Sequence, residues 1–411
     1  MKLGVIIVLA LLVAATVSAQ APTGTIRGVV EDSTGAVIPG GTVELHNLNT
    51  GDRRHAMTDQ EGHYEFVFLP VGRYRVTATL SGFKNAAQDT VLEVGQVNRI
   101  NLRLEVGSAE ETVNVLGSAP LIQTASSNAG KVIDSRRMVD IPLNSRDIQQ
   151  LTLLVPGTVM PPGGIQSTSA GNVAGQRSDA SDYLIDGSPN NDVRNNQVVL
   201  VPNIDTIQEF TFQTNAFSAE YGRASGGVVN IVTRSGGNDY RGTVYDFLRN
   251  DMFDARNYFD DPKAPIPPFK RNVFGGVLGG PIVHDRTFFF FSYEGRRQRE
   301  SVTLRATVPT AEQRQGVFRD AQGKVVTDVS GQVTPVAQRI LNLVPQPNFA
   351  GAFNWGGAAA KPRDANQITV KLDHNFNNAN RLSFSYLYQR DIRDEPATNT
   401  NLTGFGDWRQ G

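Results

Sequence analysis

Beyond Asp239 the apolar residues recur at every second position. In Ile368-Thr-Val-Lys-Leu-Asp-His374 and Leu382-Ser-Phe-Ser-Tyr-Leu-Tyr388, apolar and polar side chains take turns along almost the whole run. A period of two puts the apolar groups on one face of a strand and the polar groups on the other, which no helix can do. The same pattern predicts strands over Gly242–Leu248, Asn272–Ile282, Thr287–Tyr293, Asn366–Asn375 and Arg381–Gln389. No run of about 18 apolar residues follows the first segment, so any membrane crossing must use strands closed into a barrel, with one face on lipid and the other on a wet lumen.

Composition narrows the chemistry. The 411 residues suit two or three domains, and Lys+Arg 39 against Asp+Glu 40 leaves no basic excess for a nucleic-acid partner. The absence of cysteine excludes disulfides, a thiolate nucleophile and a Cys-bound zinc. The five histidines never form His-Glu-x-x-His, and the Asp-rich tract Gly175–Asp192 lacks the alternate ligands and twelfth-position Glu of an EF-hand, so no metal or other cofactor is expected. Gly222-Arg-Ala-Ser-Gly226 has the wrong spacing for a nucleophile elbow, and Gly275–Gly280 lacks the Lys-Ser/Thr of a phosphate loop. No enzyme is read from these residues.

The first 19 residues read as a signal peptide. Lys2 supplies the charge, Leu3–Val17 the apolar run and Val17-Ser18-Ala19 the small-residue cleavage site, with Gln20 as the mature start.

From 23 to 106, short alternating segments separated by Gly, Pro, Asn and Asp predict an antiparallel β-sandwich. The expected core faces are Ile26, Gly28 and Val30; Val43 and Leu45; Tyr64, Phe66 and Phe68; Tyr74, Val76, Ala78 and Leu80; and Ile100, Leu102 and Leu104. The order GTIRGVVEDSTGAVIPGGTVEL, then TDQEGHYEFVFLPVGRYRVTATLSGFK, resembles the carboxypeptidase regulatory-like domain. That resemblance implies a transthyretin-like sandwich without peptidase activity. Such folds can bind sugar through exposed aromatics, but here Tyr64, Phe66, Phe68 and Tyr74 all fall on expected core faces.

Residues 107–120 read as a linker. Within it, Glu111, Thr112, Val113, Asn114, Val115 and Leu116 form an extended, β-prone hexapeptide that resembles a TonB box and suits addition to another protein's sheet edge; a strand of the neighbouring modules would look the same. Residues 121–237 read as an α+β unit. Asn144–Asp147 predicts an N-cap for a helix through Ile148, Leu151 and Leu154, and a second helix near Pro202 runs into the strand Glu209–Gln213. Tyr183-Leu-Ile-Asp186-Gly187 predicts a strand and tight turn. In Tyr221-Gly222-Arg223-Ala-Ser-Gly226-Gly227, followed by Val228–Thr233 with Asn230 at its centre, glycines permit close backbone approach beside a strong strand former. Arg223 and Arg234 are expected to pair with carboxylates of the barrel wall. With VIDSRRMVDIPLNSRDIQQLTLLVPGT, these motifs resemble the plug of TonB-dependent receptors of the Oar-like kind.

Residues 238–411 then read as the first strands of an outer-membrane antiparallel β-barrel. A plugged transporter barrel of 22 strands needs about 220 residues for its strands alone. Asp239–Gly411 supplies 173. The barrel is therefore expected to be incomplete, a truncated fragment, with Gly295–Pro362 as a long extracellular loop. The resemblance implies a receptor in the cell outer membrane, its sandwich and plug on the periplasmic side. Its expected partners are a TonB-type periplasmic energy-coupling protein, outer-membrane lipid and an unidentified extracellular ligand, with carbohydrate and peptide as candidates. Two alternatives stand beside it: an Oar-like adhesion or envelope-structure protein without transport, and a carbohydrate-binding sandwich module.

Overall fold

The computed structural model describes residues 23–107, 112–114, 129–143, 146–160, 171–173, 175–194, 196–215, 217, 224–255, 266, 268–348, 350–351, 353–378, 380–395 and 408–410. It is mainly β with short helical segments. Among the described residues no helix is long and apolar enough to cross a membrane. The chain divides into two compact units, Met1–Thr243 with Val277–Ser292 and Thr369–Leu387, and Val244–Gly276 with Tyr293–Ile368 and Tyr388–Gly411.

The first unit begins with a module of two sheets. Its strands are β1 (Thr23–Asp32), β2 (Thr42–Asn47), β3 (Arg53–Met57), β4 (His63–Pro70), β5 (Gly72–Thr79), β6 (Asn85–Leu92), β7 (Val97–Arg99), β8 (Leu102–Leu104) and β9 (Thr112–Asn114). One sheet runs β4-β1-β7, with β8 also on β1, and the other β3-β2-β5-β6-β9. Alternate residues fill the core: Ile26, Val30, Val43, Leu45, Tyr64, Phe66, Tyr74, Val76, Ile100, Leu102 and Leu104 are all buried together. Tyr64 donates its hydroxyl to the Ile100 carbonyl at 2.6 Å, so the buried phenol is satisfied.

Phe68 departs from the expected pattern. The β1–β4 register shifts between Gly24 and Ile26, which inserts an extra residue on β4. Phe68 takes that place with φ 53. It turns out to solvent, 77% exposed, and Leu69 takes the core position.

A second module follows, with β10 (Ala129–Asp134), α1 (Ser135–Asp140), β11 (Thr158–Val159), β12 (Asn172–Val173), β13 (Asp182–Ile185), β14 (Ser188–Pro189), β15 (Ile207–Asn215) and β16 (Val228–Thr233). Its sheet order is β10-β15-β16-β13-β14, in which β13 and β16 are parallel and the other pairs antiparallel. Ile133, Met138, Ile148, Leu151, Tyr183, Phe210, Phe212, Val229 and Ile231 form its core. Helix α1, capped by Asp134, has no counterpart in the sequence reading. The helix expected after Asn144 is a 3₁₀ segment, Ile148–Leu154, capped by Asp147. Ile148 and Leu151 point inward, whereas Leu154, the last residue of the segment, is exposed. A second 3₁₀ turn, Ile204–Thr206, leads directly into β15.

The remaining strands are β17 (Arg241–Asn250), β18 (Phe269–Val283), β19 (Thr287–Ala306), β20 (Val317–Arg319), β21 (Val325–Asp328), β22 (Trp355–Ala360), β23 (Arg363–Asn375), β24 (Arg381–Glu395) and β25 (Trp408–Gln410). Among the described residues seven of them make an unclosed sheet, in the order β17-β18-β19-β23-β24-β25 with β22 also on β19. All five predicted strands are present. The expected loop 295–362 is shorter than its reading, because β19 continues to Ala306 and pairs there with β22. The remaining connection carries the β20–β21 hairpin, α2 (Ala311–Arg314) and α3 (Pro335–Leu343).

Candidate functional site

Along β23 burial runs opposite to polarity. Thr369, Lys371 and Asp373 are buried, whereas Leu372, between two of them, is 40% exposed. On β24 Leu382, Phe384, Tyr386 and Tyr388 likewise face outward. A strand in water would bury the other face. Buried polar groups need partners, and the second module supplies those of Lys371.

The first contact is at the β13–β14 turn. Asp186 and Gly187, both at positive φ, turn the chain between Ile185 and Ser188 in the tight geometry that an Asp-Gly pair favours. The Asp186 carboxylate accepts from the Thr233 backbone N–H at 2.8 Å and from its hydroxyl at 2.5 Å, tying the turn to the end of β16. Lys371 reaches in from β23. Its Nζ donates to the Thr233 carbonyl at 3.2 Å and Oγ1 at 3.1 Å and stands 3.5 Å from Asp186 Oδ2, with Ser385 Oγ 3.4 Å from the same oxygen. A buried lysine beside a half-buried carboxylate is tolerated only as a pair with further hydrogen bonds.

The second contact lies at the 3₁₀ turn before β15. Asn203 caps that turn, accepting from the Thr206 N–H, and donates its amide to Ser292 Oγ on β19 at 3.1 Å. Thr206 Oγ1 is 2.9 Å from the same Ser292 oxygen. Asp373, the third buried polar residue of β23, is held within the sheet by Arg381 at 2.8 Å and Ser383 at 2.6 Å.

The remaining motif residues have mixed fates. Asn230 sits in the wholly buried β16, opposite Thr211 on β15 and beside Leu184 on β13. Gly227 is required where it is, because a Cβ there would stand 2.7 Å from the Phe212 ring and 2.9 Å from the Gln213 carbonyl. Gly226 donates its N–H to the Ala180 carbonyl. Arg234 corrects the sequence reading. It donates to the Ile207 carbonyl at 3.2 Å; burial lowers its pKa, and the acid that opposes this is Asp205 of the same module rather than a carboxylate of the long-stranded sheet. Tyr221, Gly222 and Arg223 lie outside the described residues, as do Glu111, Val115, Leu116 and the signal segment 1–19. Thr112–Asn114 pairs in parallel with Asn85–Ala87 of β6.

Sequence reasoning missed Glu209. Its carboxylate is buried and accepts from the Val94 N–H of the first module at 3.0 Å. Burial first, then the neighbouring Glu93 and Asp134, push its pKa up to about 7. Nothing in the local pattern marks a carboxylate whose partner is a distant main-chain amide. Asp59, Glu61 and His63 bring three possible ligand atoms within 4.8 Å, but Asp59 there accepts the Glu61 and His63 N–H groups and closes an exposed turn.

Comparison with known proteins agrees with these modules. The carboxypeptidase regulatory-like domain matches residues 25–105, and the outer membrane beta barrel domain matches 232–410. The TonB-dependent transporter Oar of Myxococcus xanthus is 26% identical over 321 residues, covering 74% of this chain. The chain spans 29% of that relative's length. Among solved structures, a mutant of the ferric enterobactin receptor from Pseudomonas aeruginosa is 17% identical, covering 67% of this chain and 35% of its own, with a TM-score of 0.40. A catechol 1,2-dioxygenase from Acinetobacter is 13% identical, covering 25% and 59%, with a TM-score of 0.20. Both likenesses are too distant to bear on function. The relative matched by sequence is named a transporter. This chain thus joins a carboxypeptidase regulatory-like domain to an outer-membrane β-barrel domain and is homologous to Oar-like TonB-dependent transporters.

Proposed function

We propose that the protein takes up an extracellular ligand through a barrel closed by its second module, under the pull of a TonB-type periplasmic partner on Glu111–Leu116. In this reading residues 23–106 are a periplasmic sandwich, 107–120 a tether, 121–237 the plug and 238–411 barrel wall. The observation that carries it is the inverted burial of β23, whose polar residues are buried, with Lys371 bonded to the second module, while Leu372 is exposed. A plug seated by hydrogen bonds and one ion pair can be shifted by modest differential contacts, as gating requires. The test is deletion of residues 111–116 from the full-length protein in its native outer membrane, with growth screened on a panel of nutrients. Growth should fail on at least one nutrient that the unaltered strain uses, and unchanged growth on every nutrient used through this protein would refute energised uptake.

A second reading, sugar binding by the first module, is favoured by the exposure of Phe68. Calorimetric titration of the protein with oligosaccharides should then give heat that Phe68→Ala abolishes, and absence of heat removes the reading.

A further inference from the structure

Within the segment read as the coupling box, Thr112–Asn114 is already a strand. Thr112, Val113 and Asn114 stand in parallel register with Asn85, Ala86 and Ala87, and β9 is the last strand in the order β3-β2-β5-β6-β9. The chain reaches this place after Val106 bridges Phe83, with Lys84 donating its N–H to the Glu105 carbonyl. A strand offers main-chain groups to both sides, and those of β9 that point away from β6 meet no strand among the described residues. An open edge of this kind is a template for pairing with another chain.

We propose that the carboxypeptidase regulatory-like domain displays the coupling segment, presenting it as the open edge of its own sheet so that the periplasmic partner adds to β9 as a sixth strand. The proposal rests on the reading of Glu111–Leu116 as that segment. The partner it fits is a domain with an unpaired sheet edge of its own, since two open edges satisfy each other by main-chain hydrogen bonds. Display has a thermodynamic use. A segment held extended by β6 has lost much of the backbone freedom that a free tether would forfeit on binding, so the partner meets a preorganised strand. The domain then acts in recruitment, and force applied to β9 passes into a folded sheet before it reaches the second module.

Two alterations of the β6–β9 pairing separate display from concealment. The chain has no cysteine, so Ala86→Cys with Val113→Cys creates one unique pair. Neighbouring strands are about 4.8 Å apart, within disulfide reach. Asn85→Pro removes a donor opposite Thr112 at a position beyond the β5–β6 register, which ends at Ala86, so β6 keeps its other partner. The probe is the purified periplasmic domain of a TonB-type protein, titrated against the full chain in detergent. Display predicts that the oxidised cysteine pair keeps its affinity within about threefold, whereas Asn85→Pro weakens binding on the order of tenfold, the equivalent of one or two backbone hydrogen bonds. Loss of binding on oxidation, restored by reductant, or tighter binding by Asn85→Pro would overturn it and mean that the domain hides the segment. A melt of each variant excludes loss of fold as the cause. Deletion of residues 111–116 distinguishes the two levels: binding that survives deletion refutes the box itself, while binding lost on deletion and also on oxidation refutes display alone.

Discussion

Lys371 on β23 and Asp186 in the β13–β14 turn lie 185 residues apart and meet at 3.5 Å in a part-buried pair, with Thr233 bonded to both. Removing one partner strands the other in a poorly solvated site. Lys371→Met or Asp186→Asn should each destabilise the seat by about 3 kcal/mol, while the double variant costs less than the sum of the two. Denaturant unfolding of the four proteins checks this, and simple additivity would mean the pair is not coupled.

Glu209 makes stability depend on pH. Its folded pKa of about 7 stands above the ordinary value of 4.5, so the folded state holds the proton more tightly. Stability is therefore greatest below the lower value, falls as pH rises between the two and levels off above about 7. The loss is on the order of 3 kcal/mol at most. Glu209→Gln should remove this slope and raise the melting temperature at pH 8 relative to the unaltered protein. A slope unchanged by the substitution would assign the dependence elsewhere.

Phe66 and Phe68 should behave oppositely although both are phenylalanines of one strand. Phe66→Ala opens a cavity in the core and should cost about 3–5 kcal/mol. Phe68→Gly relieves a positive φ at an exposed bulge and should stabilise by about 1 kcal/mol. Thermal melts of both variants decide whether the bulge is where the register places it.

Tyr64→Phe leaves the Ile100 carbonyl without its buried donor. The expected cost is about 1–2 kcal/mol, read from the same melts.

These contrasts show what a period of two conveys and what it omits. The strands around Ile368–His374 and Leu382–Tyr388 were legible because one-sided burial leaves its mark at alternate residues, and Asp186-Gly187 because few pairs adopt that turn. Phe68 was misread since a bulge reverses inside and outside without altering composition. Trp355–Ala360 carries no alternation at all, and its place beside β19 comes from pairing alone. The meetings of Lys371 with Asp186, of Ser292 with Asn203 and of Glu209 with Val94 join distant positions, and no local pattern records them.

The most direct test of the account concerns the two faces of β23. Spin labels placed singly at Ile368, Val370 and Leu372, and at Thr369, Lys371 and Asp373, can be assayed in lipid vesicles for collision with oxygen and with a water-soluble nickel complex. If β23 is barrel wall with a plug behind it, the first three labels favour oxygen, as in lipid, and the second three are shielded from both reagents. Free access of the nickel complex to all six positions would contradict it.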